Sequence, residues 1–110
     1  RTEGQVLASG QTSRSGDMTV RVDALDVGSE GTEARIAMSG VPGAIAVTGW
    51  RLLGDGEVVE PFTTVGDGLC DARTEVPEAG EVVCTVRFTS VETIQAVAYT
   101  RAGEQRQWAP

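Results

Sequence analysis

Residues 16–27 read "GDMTVRVDALDV", and this stretch decides the fold. Met18, Val20 and Val22 alternate with Thr19, Arg21 and Asp23. Side chains of an extended strand point to opposite faces in turn, so one face of this run is apolar and the other charged. That pattern belongs to an antiparallel sheet with one face on a core and the other in water. A helix needs apolar residues every three or four positions. No window of eleven or more residues keeps that period without a glycine or proline breaking it.

The same alternation recurs outward along the chain. Ala34, Ile36 and Met38 alternate with Glu33 and Arg35, Trp50 and Leu52 with Gly49 and Arg51, and Val82, Cys84, Val86 and Phe88 with Glu81, Thr85 and Arg87. Between the runs stand turn residues: "GSEG" at 28–31, "VPG" at 41–43, "GDG" at 54–56, "PEAG" at 77–80 and "RAGE" at 101–104. Seven to nine short strands are expected, at roughly 4–9, 17–27, 32–39, 44–53, 57–62, 68–71, 81–89, 93–100 and 105–109. Turns at intervals of about 8–12 residues suit sandwiches and barrels. The expected fold is all-β: an immunoglobulin-like antiparallel β-sandwich formed by residues 1–110 as one domain, with a small β-barrel as the alternative.

Composition agrees. Valine outnumbers leucine fifteen to five, and β-branched residues suit pleated surfaces. The net charge is −7, and all nine basic residues are arginines. Such a balance repels phosphate backbones, so neither nucleic acid nor an anionic membrane surface is an expected partner. The absence of lysine and asparagine, both with AT-rich codons, fits a GC-rich bacterial genome. No apolar run approaches the ~20 residues of a spanning helix. The chain begins at Arg1 without a methionine, so a signal, lipid anchor or membrane helix upstream is compatible with it.

The order of "GDMTVRVDALDV", "TEARIAMSGV", "PEAGEVVCTVRF" and "IQAVAYTRAGEQRQW" over residues 16–108 resembles the telokin-like immunoglobulin-fold domains of bacterial lipoproteins and surface proteins. One feature differs from antibody domains. They place a tryptophan between two core cysteines, whereas Trp50 precedes both Cys70 and Cys84. The resemblance implies an extracytoplasmic, non-catalytic module.

The residues offer little chemistry. Ser–His–Asp and Cys–His arrangements need a base near neutral pKa, and the chain has neither histidine nor lysine. Sixteen carboxylates leave a facing pair as in glycoside hydrolases possible in principle, but the expectation is no enzyme and no catalytic residue. Asp67, Asp71 and Glu78 fall at positions 1, 5 and 12 of a calcium-loop template, yet Leu69 and Ala72 occupy positions 3 and 6. A looser calcium site at Asp67 and Asp71 is the remaining form of that idea. Two cysteines without histidine supply half of a zinc set. "GDG" opens no helix to cradle phosphate. No metal and no cofactor are expected.

Cys70 and Cys84 read as a disulfide, with Cys84 in phase with the core-facing Val82, Val86 and Phe88. Two free thiols or a redox pair are the alternatives, although C-x13-C is not a C-x-x-C motif. Tyr99, Arg101, Arg106 and Trp108, gathered by a hairpin at 101–104, are the candidate binding residues, since aromatics and arginine dominate binding hot spots. The competing reading places Tyr99 and Trp108 in the core with solvated arginines. The expected function is a non-catalytic extracytoplasmic domain of a bacterial lipoprotein or surface protein. It would mediate interaction with a protein or small ligand, or play a structural part. A ligand-sensing domain outside a membrane receptor is the alternative.

Overall fold

The computed structural model describes residues 5–101 and 104–108, with side chains for 16–101 and 106–108. Eight strands succeed one another: β1 (Gln5–Ser15), β2 (Met18–Val27), β3 (Thr32–Ser39), β4 (Trp50–Gly54), β5 (Glu57–Val59), β6 (Val82–Phe88), β7 (Ile94–Arg101) and β8 (Glu104–Trp108). There is no helix among the described residues. The strands form two sheets, β1-β2-β3-β6 and β5-β4-β7-β8, with every pairing antiparallel. No ladder joins the two, so the molecule is an open sandwich and not the alternative barrel. Apart from β1, the order β2-β3-β6 against β5-β4-β7-β8 matches the A-B-E and C′-C-F-G arrangement of immunoglobulin-like domains.

The alternation of β2 carries the core as its sequence demands, with one break. Val22 pairs with Ile36, but Ala24 pairs with Arg35, so an extra residue sits in β2 between these pairs. A bulge of this kind reverses the phase of the strand beyond it. Met18, Val20 and Val22 face the core before it, and Leu25 and Val27 after it. Ala34, Ile36, Met38, Val86 and Phe88 complete this side, opposed by Trp50, Leu52, Val97, Tyr99 and Trp108. Trp50 is fully buried at the centre. Its ring centroid lies 4.9 Å from that of Tyr99 and 5.5 Å from that of Trp108, both tilted arrangements. Its Nε1–H donates to Sδ of Met38 at 3.5 Å, linking the two sheets.

Several strands differ from their expected extents. The first runs to Ser15 instead of stopping near residue 9. Its polar sequence hides it, and its pairing with β2 through the two-residue turn Gly16–Asp17 reveals it. The 44–53 run starts at Trp50, because 44–47 turns through the crossover between sheets. β5 stops at Val59, short of Pro61, which cannot donate to a ladder. Residues 68–71 form a single parallel bridge, Leu69 to Thr85, and no strand. The "GDG" hairpin is as expected: Gly54 pairs with Glu57 around Asp55 and Gly56, whose φ of 53° and 76° give the primed turn that strand twist favours. The expected turn residues Ala102 and Gly103, and the outermost expected strand residues 4 and 109, lie outside the described residues.

The segment from 60 to 81 is stitched to β6 and to the β3–β4 crossover. Phe62 donates its N–H to the carbonyl of Arg87 at 2.8 Å, Cys70 donates to Thr85 at 2.7 Å, and Thr85 returns a bond to Gly68 at 2.7 Å. These bonds occupy the outer edge of β6, which would otherwise present unpaired groups. Further on, Val76 and Thr74 pair with Ala44 and Ala46 of the β3–β4 crossover. Val76 and Ala46 are buried by that pairing.

Candidate functional site

Cys70 and Cys84 form a disulfide, with Cα atoms 5.2 Å apart. Cys84 points inward from β6, in the phase its neighbours set. Cys70 sits at 1% exposure where the 60–81 segment crosses the β6 edge. The bond therefore fastens the long segment to the sheet edge that it covers. It does not span the two sheets as the antibody disulfide does.

Asp71, the next residue, is itself buried. Its Oδ1 accepts the backbone N–H of Arg73 at 2.7 Å and lies 3.3 Å from Oγ1 of Thr74, while the Thr74 N–H bonds the Asp71 carbonyl. This is an Asx-type turn, a local use of the carboxylate that explains its burial. Asp67 and Glu78 are exposed. Among the described residues no group of three acidic or cysteine side chains is placed to hold a metal ion.

The four binding candidates divide by depth. Tyr99 and Trp108 are buried at 4% and 3% exposure, flanking Trp50 in the core. Register decides this: Tyr99 stands opposite Arg106, and Trp108 opposite Val97, so both rings fall on the inner face. Arg101 and Arg106 are half-buried. Tyr99 and Arg101 do share one feature, a shallow groove of about 360 Å³ that they line with Ala44, Ile45, Thr48 and Thr100. Burial pushes the Tyr99 phenol above its ordinary value, opposed in part by the positive charge of Arg101. Ala44, Ile45 and Thr48 carried no signal in the sequence, because the β3–β4 crossover meets β7 only in three dimensions.

β7 is buried on both faces. Val97 and Tyr99 face the core, while Ala96 and Ala98, on the outer face, are 4% and 3% exposed. Their cross-strand neighbours Leu53, Arg51 and Gln107 flank these small side chains. Arg51 is held by the Trp50 carbonyl at 2.7 Å and by Glu60 at 3.4 Å. On the other sheet the outer face is a charge ladder. Arg21 binds Asp23 and Glu81, which together raise its pKa, and Arg87 meets Glu33 at 3.3 Å. A polar groove of about 190 Å³ lies at the β2–β3 end, lined in part by Asp26, Glu30, Glu33 and Arg87.

Set against protein-family models, curated proteins and solved structures, the chain matches none of them. Fold and site together define a class: an immunoglobulin-like, all-β sandwich domain with one disulfide.

Proposed function

We propose that this chain is a non-catalytic, extracytoplasmic interaction domain of a bacterial lipoprotein or surface protein, similar in kind to the telokin-like domains it resembles. The observation that carries the reading is the Cys70–Cys84 disulfide, which fastens the 60–81 segment to β6. Structural disulfides form and persist in oxidising compartments. Burial of both sulfurs at the joint between loop and sheet supports a structural bond over a redox pair. No helix among the described residues is long and apolar enough to cross a membrane. The net charge of −7 supports a protein or small ligand over nucleic acid as partner.

The test uses the full-length gene product in its own host. Intact cells are treated with a membrane-impermeant protease, and the domain is then recovered under alkylating, non-reducing conditions for intact mass. Cleavage on intact cells, with no alkylated cysteine, is the expected result. A protease-protected domain with two alkylated cysteines would overturn the reading.

A further inference from the structure

We propose that the side of the sandwich formed by β5 and the 60–81 segment is a docking surface for a basic, apolar-bearing segment of a protein partner. This rests on the reading of the chain as an interaction domain, and it names the surface and the partner's chemistry.

Two independent features meet there. The first is apolar. The large hydrophobics that stand exposed among the described residues are Val58 at 65%, Phe62 at 45%, Val65 at 57% and Val83 at 40%. Three of these four fall within eight consecutive residues, on β5 and the segment that leaves it. Val83, the fourth, points from the outer face of β6 in the other sheet and stands apart from these three. Scattered exposed apolar residues need no explanation, but a concentration on one side marks an interaction site.

The second feature is charge. Between residues 55 and 81 the chain has eight carboxylates and one arginine, Arg73, which leaves −7. The remaining eight carboxylates and eight arginines cancel. Within the segment Glu60 and Glu81 pair with Arg51 and Arg21 from outside it, and Asp71 is buried in its own turn. The exposed Asp55, Glu57, Asp67, Glu75 and Glu78 against Arg73 therefore leave a surplus of four negative charges on a segment that hydrogen bonds to β6 and the 43–46 crossover hold in place. Glu57, exposed, adjoins Val58 in the sequence, and Asp67, also exposed, stands two residues from Val65.

These features select the occupant. A polypeptide carrying Lys or Arg between aliphatic residues satisfies both, the charge steering the encounter and the apolar contacts holding it. A second copy meeting the same surface by a two-fold axis would oppose two patches of the same negative sign. β5 has only three residues and Pro61 comes soon after, so contact runs through side chains and not through an added strand.

The experiment titrates the ¹⁵N-labelled chain with three eight-residue peptides: alternating Lys and Val, all Lys, and alternating Glu and Val. Amide shifts clustered over 57–69 with the Lys/Val peptide, and at least tenfold weaker binding of the other two, are expected. Val58→Ser/Phe62→Ser/Val65→Ser is expected to weaken the Lys/Val peptide at least tenfold, and Glu57→Gln/Asp67→Asn to reduce its salt dependence. Spectra unchanged outside 57–69 establish that the variants are folded. Equal binding of the all-Lys peptide, shifts scattered over the surface, or unaltered affinity of the triple variant would each overturn the proposal. So would a dimer in sedimentation that the triple variant abolishes, because a second copy would then be the occupant. Protease accessibility and thiol state read the compartment separately, so failure here leaves the functional reading standing.

Discussion

Replacing both cysteines, Cys70→Ala/Cys84→Ala, tests how the 60–81 segment is held. The two are 14 residues apart in sequence. Closing a loop of about 15 residues removes ~3 kcal/mol of unfolded-state entropy in the chain-entropy model. A chain of this length unfolds with an entropy of ~0.23 kcal/mol/K, so ~3 kcal/mol corresponds to a loss of about 13 °C in Tm. Both sulfurs are buried at the joint between loop and sheet. The variant Cys70→Ser/Cys84→Ser should therefore fall further, by ~1–3 kcal/mol for each hydroxyl left without a partner. Calorimetry gives Tm, and urea unfolding gives stability and its denaturant slope. The slope should rise in the alanine pair, because the unfolded chain expands once the cross-link is gone. Amide exchange at position 70 and at Thr85, whose N–H groups bind the β6 edge and Gly68, should accelerate before that of the central strands. A Tm within about 3 °C of wild type with an unchanged slope would refute the staple, because it would leave the hydrogen bonds alone holding the segment.

Tyr99 is the single tyrosine, there is no lysine, and the cysteines are bonded, so absorbance near 295 nm reports one group cleanly. Its midpoint should lie above the ordinary 10.0. From pH 10.0 up to that raised value the unfolded chain releases a proton that the folded chain keeps, so stability is full below the window and falls through it. Tyr99→Phe should abolish that fall, and an unchanged slope in the variant would contradict the assignment. Trp50→Ala removes a fully buried ring that touches Tyr99 and Trp108 and bonds Met38. A loss of ~3–5 kcal/mol in urea unfolding is expected, with collapse of the near-ultraviolet dichroism. Gly40→Ala would drive a Cβ into the Asp17 carbonyl oxygen at a φ of +104°. The β1–β2 turn must move, and a loss of at least ~2 kcal/mol in the same assay is expected.

How far the sequence could be read depended on whether the information was local. β2, β3, β4 and β6 were legible because one face of each is buried, which writes a period of two into the residues. β1 was legible only in part. It is an edge strand whose residues 8–15 carry no apolar alternation, so pairing with β2 defines it. Residues 68–71 looked like a strand and are a single bridge on β6, since chain direction at a sheet edge is a tertiary matter. The bulge in β2 was present in the shift from Val22 to Leu25, but a phase change in a lone sequence has several readings until its partner strand is known.

The same divide separates the candidate sites. The sequence by itself determined an all-β chain, its turns, a cysteine pair able to bridge, and a charge of −7. Those come from steric preference, composition and spacing, which act over a few residues or none. Only the tertiary structure decided that Tyr99 and Trp108 close around Trp50, because the β7–β8 register turns both rings inward. Only it brought Ala44, Ile45 and Thr48 beside Tyr99 and Arg101. It also tied the acidic 55–81 segment to β6 and the β3–β4 crossover. The physical reason is common to all three: strand register and sheet order are fixed by burying one apolar face against another, and that pairing joins residues far apart in the chain.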